Sequence, residues 1–172
     1  DCFTIAEMMA YEDLGFAKQL EKYIQENKLT DFQPGRIITE HKERYIVKSV
    51  TGEYDAEITG NMRFAAINRE DFPAVGDWVA FQLFDNELAI IHQILPRKTI
   101  LTRQSVNNPG EKQIIASNID IAFIVQAVDR DFNLNRLERY LTICHTAKIE
   151  PLVIFSKIDL ISATRQEALL RE

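Results

Sequence analysis

The chemistry in this chain concentrates at Ser156-Lys157-Ile158-Asp159, directly after the apolar run Leu152-Val153-Ile154-Phe155. A carboxylate such as Asp159 can accept two hydrogen bonds from guanine, one from N1–H and one from the exocyclic amine. Adenine offers no such pair of donors on that edge. Charge-assisted hydrogen bonds contribute about 1.5–3 kcal/mol each, so one carboxylate can set the base preference. Lys157 can lay its alkyl stem along a base or loop while its ammonium stays among polar groups. Ile158 is expected to tuck inward. The residue order is that of an Asn/Thr-Lys-x-Asp guanine-reading loop, with serine in first place. The same four residues also suit an ordinary strand-to-helix turn in which Asp159 caps the helix. The tetrapeptide alone does not decide between the two.

Its surroundings give it a geometry. Ile121 to Val128 is a nearly continuous apolar run, the pattern of a strand buried on both faces. Leu134, Leu137, Leu141 and Cys144 then recur at helical spacing, and Asn133 is placed to cap that helix. Leu152 to Phe155 reads as a second buried strand. Strand, helix and strand make a βαβ unit and imply a parallel sheet. Ligands of open α/β sheets collect beyond the carboxyl ends of the strands, which is where residues 156–159 fall.

Upstream, the texture is different. Residues 1–34 read as an N-terminal helical segment, with a break near Gly15. Residues 35–103 contain five short β-like runs, at 37–39, 45–50, 54–58, 78–83 and 88–94, with polar turns around Glu43 and over Asp85-Asn86-Glu87. That count and length predict a small barrel of OB type, with a Greek-key sandwich fragment or an SH3-like barrel as alternatives. Residues 104–117, including Asn107-Asn108-Pro109-Gly110, read as a linker, and 118–172 as the start of an α/β domain.

Composition narrows the function classes. A formal net charge of −6 over 172 residues argues against a generic nucleic-acid coating protein. A local basic surface is still available from Arg36, Arg44, Arg63, Arg97, Lys98, Arg103 and Lys112. OB barrels bind single strands by stacking and backbone contacts, so a pure RNA-binding module is the rival to a nucleotide enzyme. A barrel that binds only protein is a third reading. Cys2 and Cys144 are too far apart for a disulfide framework, and with His41, His92 and His145 they make no zinc-ligand spacing. No run approaches the roughly 18 apolar residues of a membrane span, and a cytoplasmic setting is expected. The chain opens on Asp1 and stops in a helix-like stretch, as a piece of a longer protein does. The six glycines provide no G-x-x-x-x-G-K-[ST] phosphate loop.

Longer stretches resemble a known family. AVGDWVAF (74–81) and IIHQILPRKTILTRQ (90–104) resemble the end of the OB domain of the circularly permuted, ribosome small-subunit-dependent GTPases, the YjeQ/EngC family. NNPGEKQIIASNIDIAFIV (107–125) resembles that family's junction into the GTPase domain, and DFNLNRLERYLTICHTAKIEPLVIFSKIDL (131–160) its first βαβ unit and guanine loop. The resemblance implies a five-stranded OB-fold followed by the first βαβ portion of a circularly permuted P-loop GTPase domain. In that order the guanine loop precedes the phosphate loop. It further implies GTP hydrolysis stimulated by the ribosomal particle, GTP and GDP as ligands at Ser156, Lys157, Ile158 and Asp159, and magnesium and a structural zinc held by residues outside this chain. The implied partners are the small ribosomal subunit and its RNA, met through the barrel by residues such as Arg97, Lys98, Arg103, Lys112, Arg36 and Arg44, in a monomeric protein. This chain alone is then expected to be catalytically inactive. Ser156 departs from the family's usual asparagine, which puts affinity rather than base specificity in question.

Overall fold

The computed structural model describes residues 10–42, 44–84, 88–104, 112–129 and 131–169, and the chain divides into two compact units at Asn118/Ile119. The expected turns at Glu43 and Asp85–Glu87, and the Asn107–Gly110 stretch of the expected linker, lie outside the described residues.

In the first unit, β1 (Gln33–His41), β2 (Arg44–Ser49), β3 (Gly52–Ile58), β4 (Trp78–Leu83) and β5 (Leu88–Ile94) close into a barrel of order β1-β2-β3-β5-β4. All pairings are antiparallel except β3 with β5, and β1 with β4 completes the circle. This is the OB-type barrel. Alternation along each strand sends Ile37, Tyr45, Val47, Ala56, Ile58, Val79, Phe81, Ala89 and Ile91 inward. Gly35 is required here, because a Cβ on it would stand 2.3 Å from Val47 Cγ1 and 2.7 Å from Phe81 Cε1.

The outer face of β4 is covered as well. Trp78 and Ala80 pack with Leu20 and Leu29, around which Tyr11, Leu14, Phe16 and Phe32 gather. Burial on both faces explains why Trp78-Val79-Ala80-Phe81 is apolar without alternation. Leu20 belongs to α1 (Lys18–Glu26), and a 3-10 turn at Glu12–Leu14 ends at Gly15, where the helical pattern was expected to break. A short helix, α2 (Gly60–Ala65), follows β3 and is capped by the Thr59 hydroxyl, which accepts from the Met62 N–H at 3.2 Å.

The expected linker is partly strand. β6 (Ile100–Gln104) pairs antiparallel with β7 (Lys112–Ser117), and this hairpin is fastened to the barrel. Gly76 (φ +93°) lies so close to it that a Cβ would meet the Ser117 carbonyl oxygen at 2.1 Å. Beside it Asp77, fully buried, accepts from Arg97 Nε at 2.8 Å, Arg97 Nη2 at 2.7 Å, the Ala74 N–H at 2.8 Å and the Ser117 hydroxyl. A buried carboxylate must find such partners, and one of them, Ser117, is the last residue of the supposed linker.

In the second unit, β8 (Ile121–Ala127) and β9 (Glu150–Ser156) pair in parallel across α3 (Leu134–Thr146). Asn133 caps α3, its side chain accepting from the Arg136 N–H at 3.0 Å. Leu137 and Cys144 of α3 and Ile124 of β8 are buried. The opposite face is not, which corrects the reading of strands buried on both faces. Phe123 and Val125 of β8 are 64% and 65% exposed, and Leu152 of β9 is 50% exposed. The apolar pattern was read correctly, but within the described residues nothing covers one side of it.

Candidate guanine-nucleotide site

β9 ends at Ser156, and the ladder reaches its last rung there, Ser156 opposite Ala127, with the Val128 N–H donating to the Ser156 carbonyl at 3.1 Å. Lys157 then turns the chain with φ 59°, ψ 31°, in the left-handed region. For a residue with a side chain this costs about 1–2 kcal/mol, and it persists where neighbouring contacts fix it. A 3-10 turn, Ile158–Leu160, follows, so Asp159 projects from a turn immediately beyond the carboxyl end of a parallel strand.

Two contacts fix the loop. Lys157 Nζ donates to Asp129 Oδ2 at 2.8 Å, joining the loop after β9 to the loop after β8. Gln166 of α4 (Ala163–Leu169) donates to the Ile158 carbonyl at 3.0 Å and the Ile161 carbonyl at 3.3 Å. The hydrogen bond and charge of Asp129 raise the Lys157 pKa, and the hydrogen bond from Lys157, then that from the Asp131 N–H, lower the Asp129 pKa. The sign follows for each partner. The carboxylate's share is complete above its ordinary pKa of about 3.9 and is lost as pH falls through its lower folded value. The ammonium's share is complete below about 10.4 and is lost as pH rises through its higher folded value. Between those limits the pair is intact.

Asp159 is exposed, as a carboxylate that is to meet a ligand must be. Ile158 is 43% exposed rather than tucked inward, and it opens the 3-10 turn that follows the left-handed Lys157. Asp129 and Gln126 were missed from sequence. Gln126, buried on β8, donates to the Ala127 carbonyl at 2.9 Å and the Asp131 carbonyl at 3.0 Å and so shapes the loop that presents Asp129. The one available signal was a lone glutamine inside an apolar run.

The candidate RNA contacts separate into two groups. Arg97 is withdrawn: its side chain is 12% exposed, and its guanidinium is committed to Asp77 and to the carbonyls of Glu70 and Phe72. Arg36 is likewise a bracket, donating to the Leu14 carbonyl at 2.6 Å and the Asn118 carbonyl at 3.2 Å. Arg44, Lys98, Arg103 and Lys112 are exposed. Arg103 and Lys112 stand on adjacent rungs at one end of the β6–β7 hairpin.

Among the described residues no three His, Cys, Asp or Glu side chains come together to hold a metal ion. His92 stacks on Phe32 with ring centroids 4.5 Å apart. Among the described residues no helix is long and apolar enough to cross a membrane.

Comparison with known proteins decides the family. The RsgA GTPase family model matches residues 94–172. Small ribosomal subunit biogenesis GTPase RsgA 1 of Oceanobacillus iheyensis is 45% identical over 128 residues, 74% of this chain and 36% of that protein. RsgA of Opitutus terrae is 38% identical over 154 residues, 84% of this chain and 41% of that protein. The chain belongs to the RsgA GTPase family. It spans less than half the length of these two relatives. The fold agrees: YjeQ from Thermotoga maritima superposes with a TM-score of 0.63 at 18% identity, over 81% of this chain and 46% of that one. YloQ, described as a circularly permuted GTPase, does so with a TM-score of 0.58 at 23% identity, with the same coverage. This RsgA-family chain therefore shares its fold with these solved structures.

Proposed function

We propose that the protein carrying this chain is a GTP hydrolase of small ribosomal subunit biogenesis, with residues 156–159 reading guanine and the barrel unit meeting ribosomal RNA. The observation that carries the nucleotide part is the placement of Asp159: an exposed carboxylate on an anchored turn at the carboxyl end of a parallel strand. The relatives' names, small ribosomal subunit biogenesis GTPases, support the reaction and the partner. Asp159 accepts from guanine N1–H and the exocyclic amine, Lys157 lines the base or the loop with its stem, and the Ser156 hydroxyl tethers the strand end. Phosphoryl transfer rests on positioning and charge stabilisation at the phosphates, and no residue of this chain is assigned to that part.

Base selection is tested in the full-length protein by Asp159→Asn. GTP affinity is expected to fall about tenfold or more, from the loss of charge-assisted hydrogen bonds. XTP affinity should rise, because the new amide donates to the xanthine carbonyl that replaces the exocyclic amine. An unchanged GTP/XTP ratio removes Asp159 from the site.

For the RNA contact, the exposed pair Arg103 and Lys112 on the hairpin supports a phosphate-facing edge. Neutralising both to glutamine is expected to reduce the slope of log K against log salt for ribosomal RNA by about 1–2, since each phosphate contact contributes about 0.7–0.9. An unchanged slope moves the contact to another face.

A further inference from the structure

The Lys157–Asp129 contact joins two loops that are 28 positions apart in sequence and adjacent only because β8 and β9 run parallel. Asp129 is not a loose surface acid. Its other carboxylate oxygen, Oδ1, accepts from the Asp131 N–H at 3.2 Å, and the Gln126 amide ties both ends of the same loop through the carbonyls of Ala127 and Asp131. Phe132, just beyond, has its ring 6.3 Å from that of Phe155, the residue before Ser156. The loop after β8 is thus a built support, and its salt bridge to the loop after β9 falls on Lys157, whose backbone is left-handed.

We propose that Asp129 is a positioning residue for base recognition. Its carboxylate holds the Lys157 ammonium at the carboxyl edge of the parallel pair, so that the turn carrying Asp159 meets the base already in its binding shape. Asp129 acts through Lys157 and does not itself touch the base. The inference rests on the reading of residues 156–159 as the guanine loop. Preorganisation of this kind acts on affinity, because the ordering of the loop no longer opposes binding. The pair is half exposed at its lysine, which keeps the expected effect moderate.

The test is a double-mutant cycle on the full-length protein, with GDP as probe in titration calorimetry. Asp129→Asn is expected to weaken GDP about 3- to 5-fold, and Asp129→Glu to restore most of that loss. In a Lys157→Met background, Asp129→Asn is expected to change nothing further, a non-additivity that mere damage to the fold does not produce. The effect should also shrink in about 1 M salt, where screening reaches within about 3 Å. Unchanged affinity in Asp129→Asn overturns the proposal, as does an additive loss in the lysine-free background. Asp159→Asn runs alongside as the control. If it leaves the GTP/XTP ratio unchanged, the guanine-loop reading itself has failed and this inference goes with it. If it shifts that ratio while Asp129→Asn is silent, only the inference has failed.

Discussion

The barrel and the parallel pair solve the same problem, an apolar sheet face, in opposite ways. In the barrel every strand has two neighbours, and Val47, Val79, Phe81, Ala89 and Ile91 are entirely shielded from solvent. Closure removes the sheet edges, so the unit needs no other element to finish its core. In the second unit, among the described residues, two strands pair only with each other, α3 covers one face, and Phe123, Val125 and Leu152 stand on the other. Parallel sheets ordinarily have both faces covered. The lesson is that shape is held differently in the two places. The barrel holds its shape by core packing, whereas the loop at 156–159 is held by polar contacts from Asp129 and Gln166.

The sharpest way to break that contrast is to attack a buried ion pair on which the barrel unit depends. Asp77→Ala takes the carboxylate from the nearly buried Arg97 guanidinium, which keeps only the Glu70 and Phe72 carbonyls, and leaves the Ser117 hydroxyl without that acceptor. Removing one partner of a buried ion pair costs about 3–5 kcal/mol, a large share of the stability of a small domain. Trp78 is the single tryptophan of the chain and lies buried in the first unit, so its fluorescence in a urea titration reports that unit. The midpoint is expected to fall steeply. A loss below about 1 kcal/mol would show that packing alone fastens the hairpin to the barrel.

The same contrast explains what could be read from sequence. The barrel strands were legible because alternation is a local signal, and the doubly buried β4 was legible as an unbroken apolar run. The Asn133 cap and α3 were legible for the same local reason. Strand β7 was not, because its anchor is the bond from Ser117 to Asp77, forty positions away, and the strand follows an Asn-Pro-Gly stretch that reads as loop. Arg97 looked like a surface charge because the carboxylate that buries it is twenty residues upstream. At the site, Asp159 was visible as a motif, but Asp129 was not, since only the parallel pairing brings it to Lys157. Ile158 was misjudged because an apolar residue type was taken as buried without regard to the 3-10 turn it opens.

The smallest expected effect is also the most direct measure of how unlike the two faces of the parallel pair are. Val125 and Ile124 are consecutive on β8, one 65% exposed and the other 9%. Val125→Thr keeps a β-branched residue of similar shape, so strand propensity is nearly preserved. With nothing packed over that position among the described residues, the change is expected to stay within about 0.5 kcal/mol. Ile124→Ala removes atoms facing α3 and is expected to cost about 2–5 kcal/mol. Far-UV circular dichroism of the chain in urea, following the helical signal to which α3 contributes, gives both values. Equal losses at the two positions would mean that the Phe123–Val125 face is covered in solution, and the contrast between closed barrel and half-covered sheet would not hold.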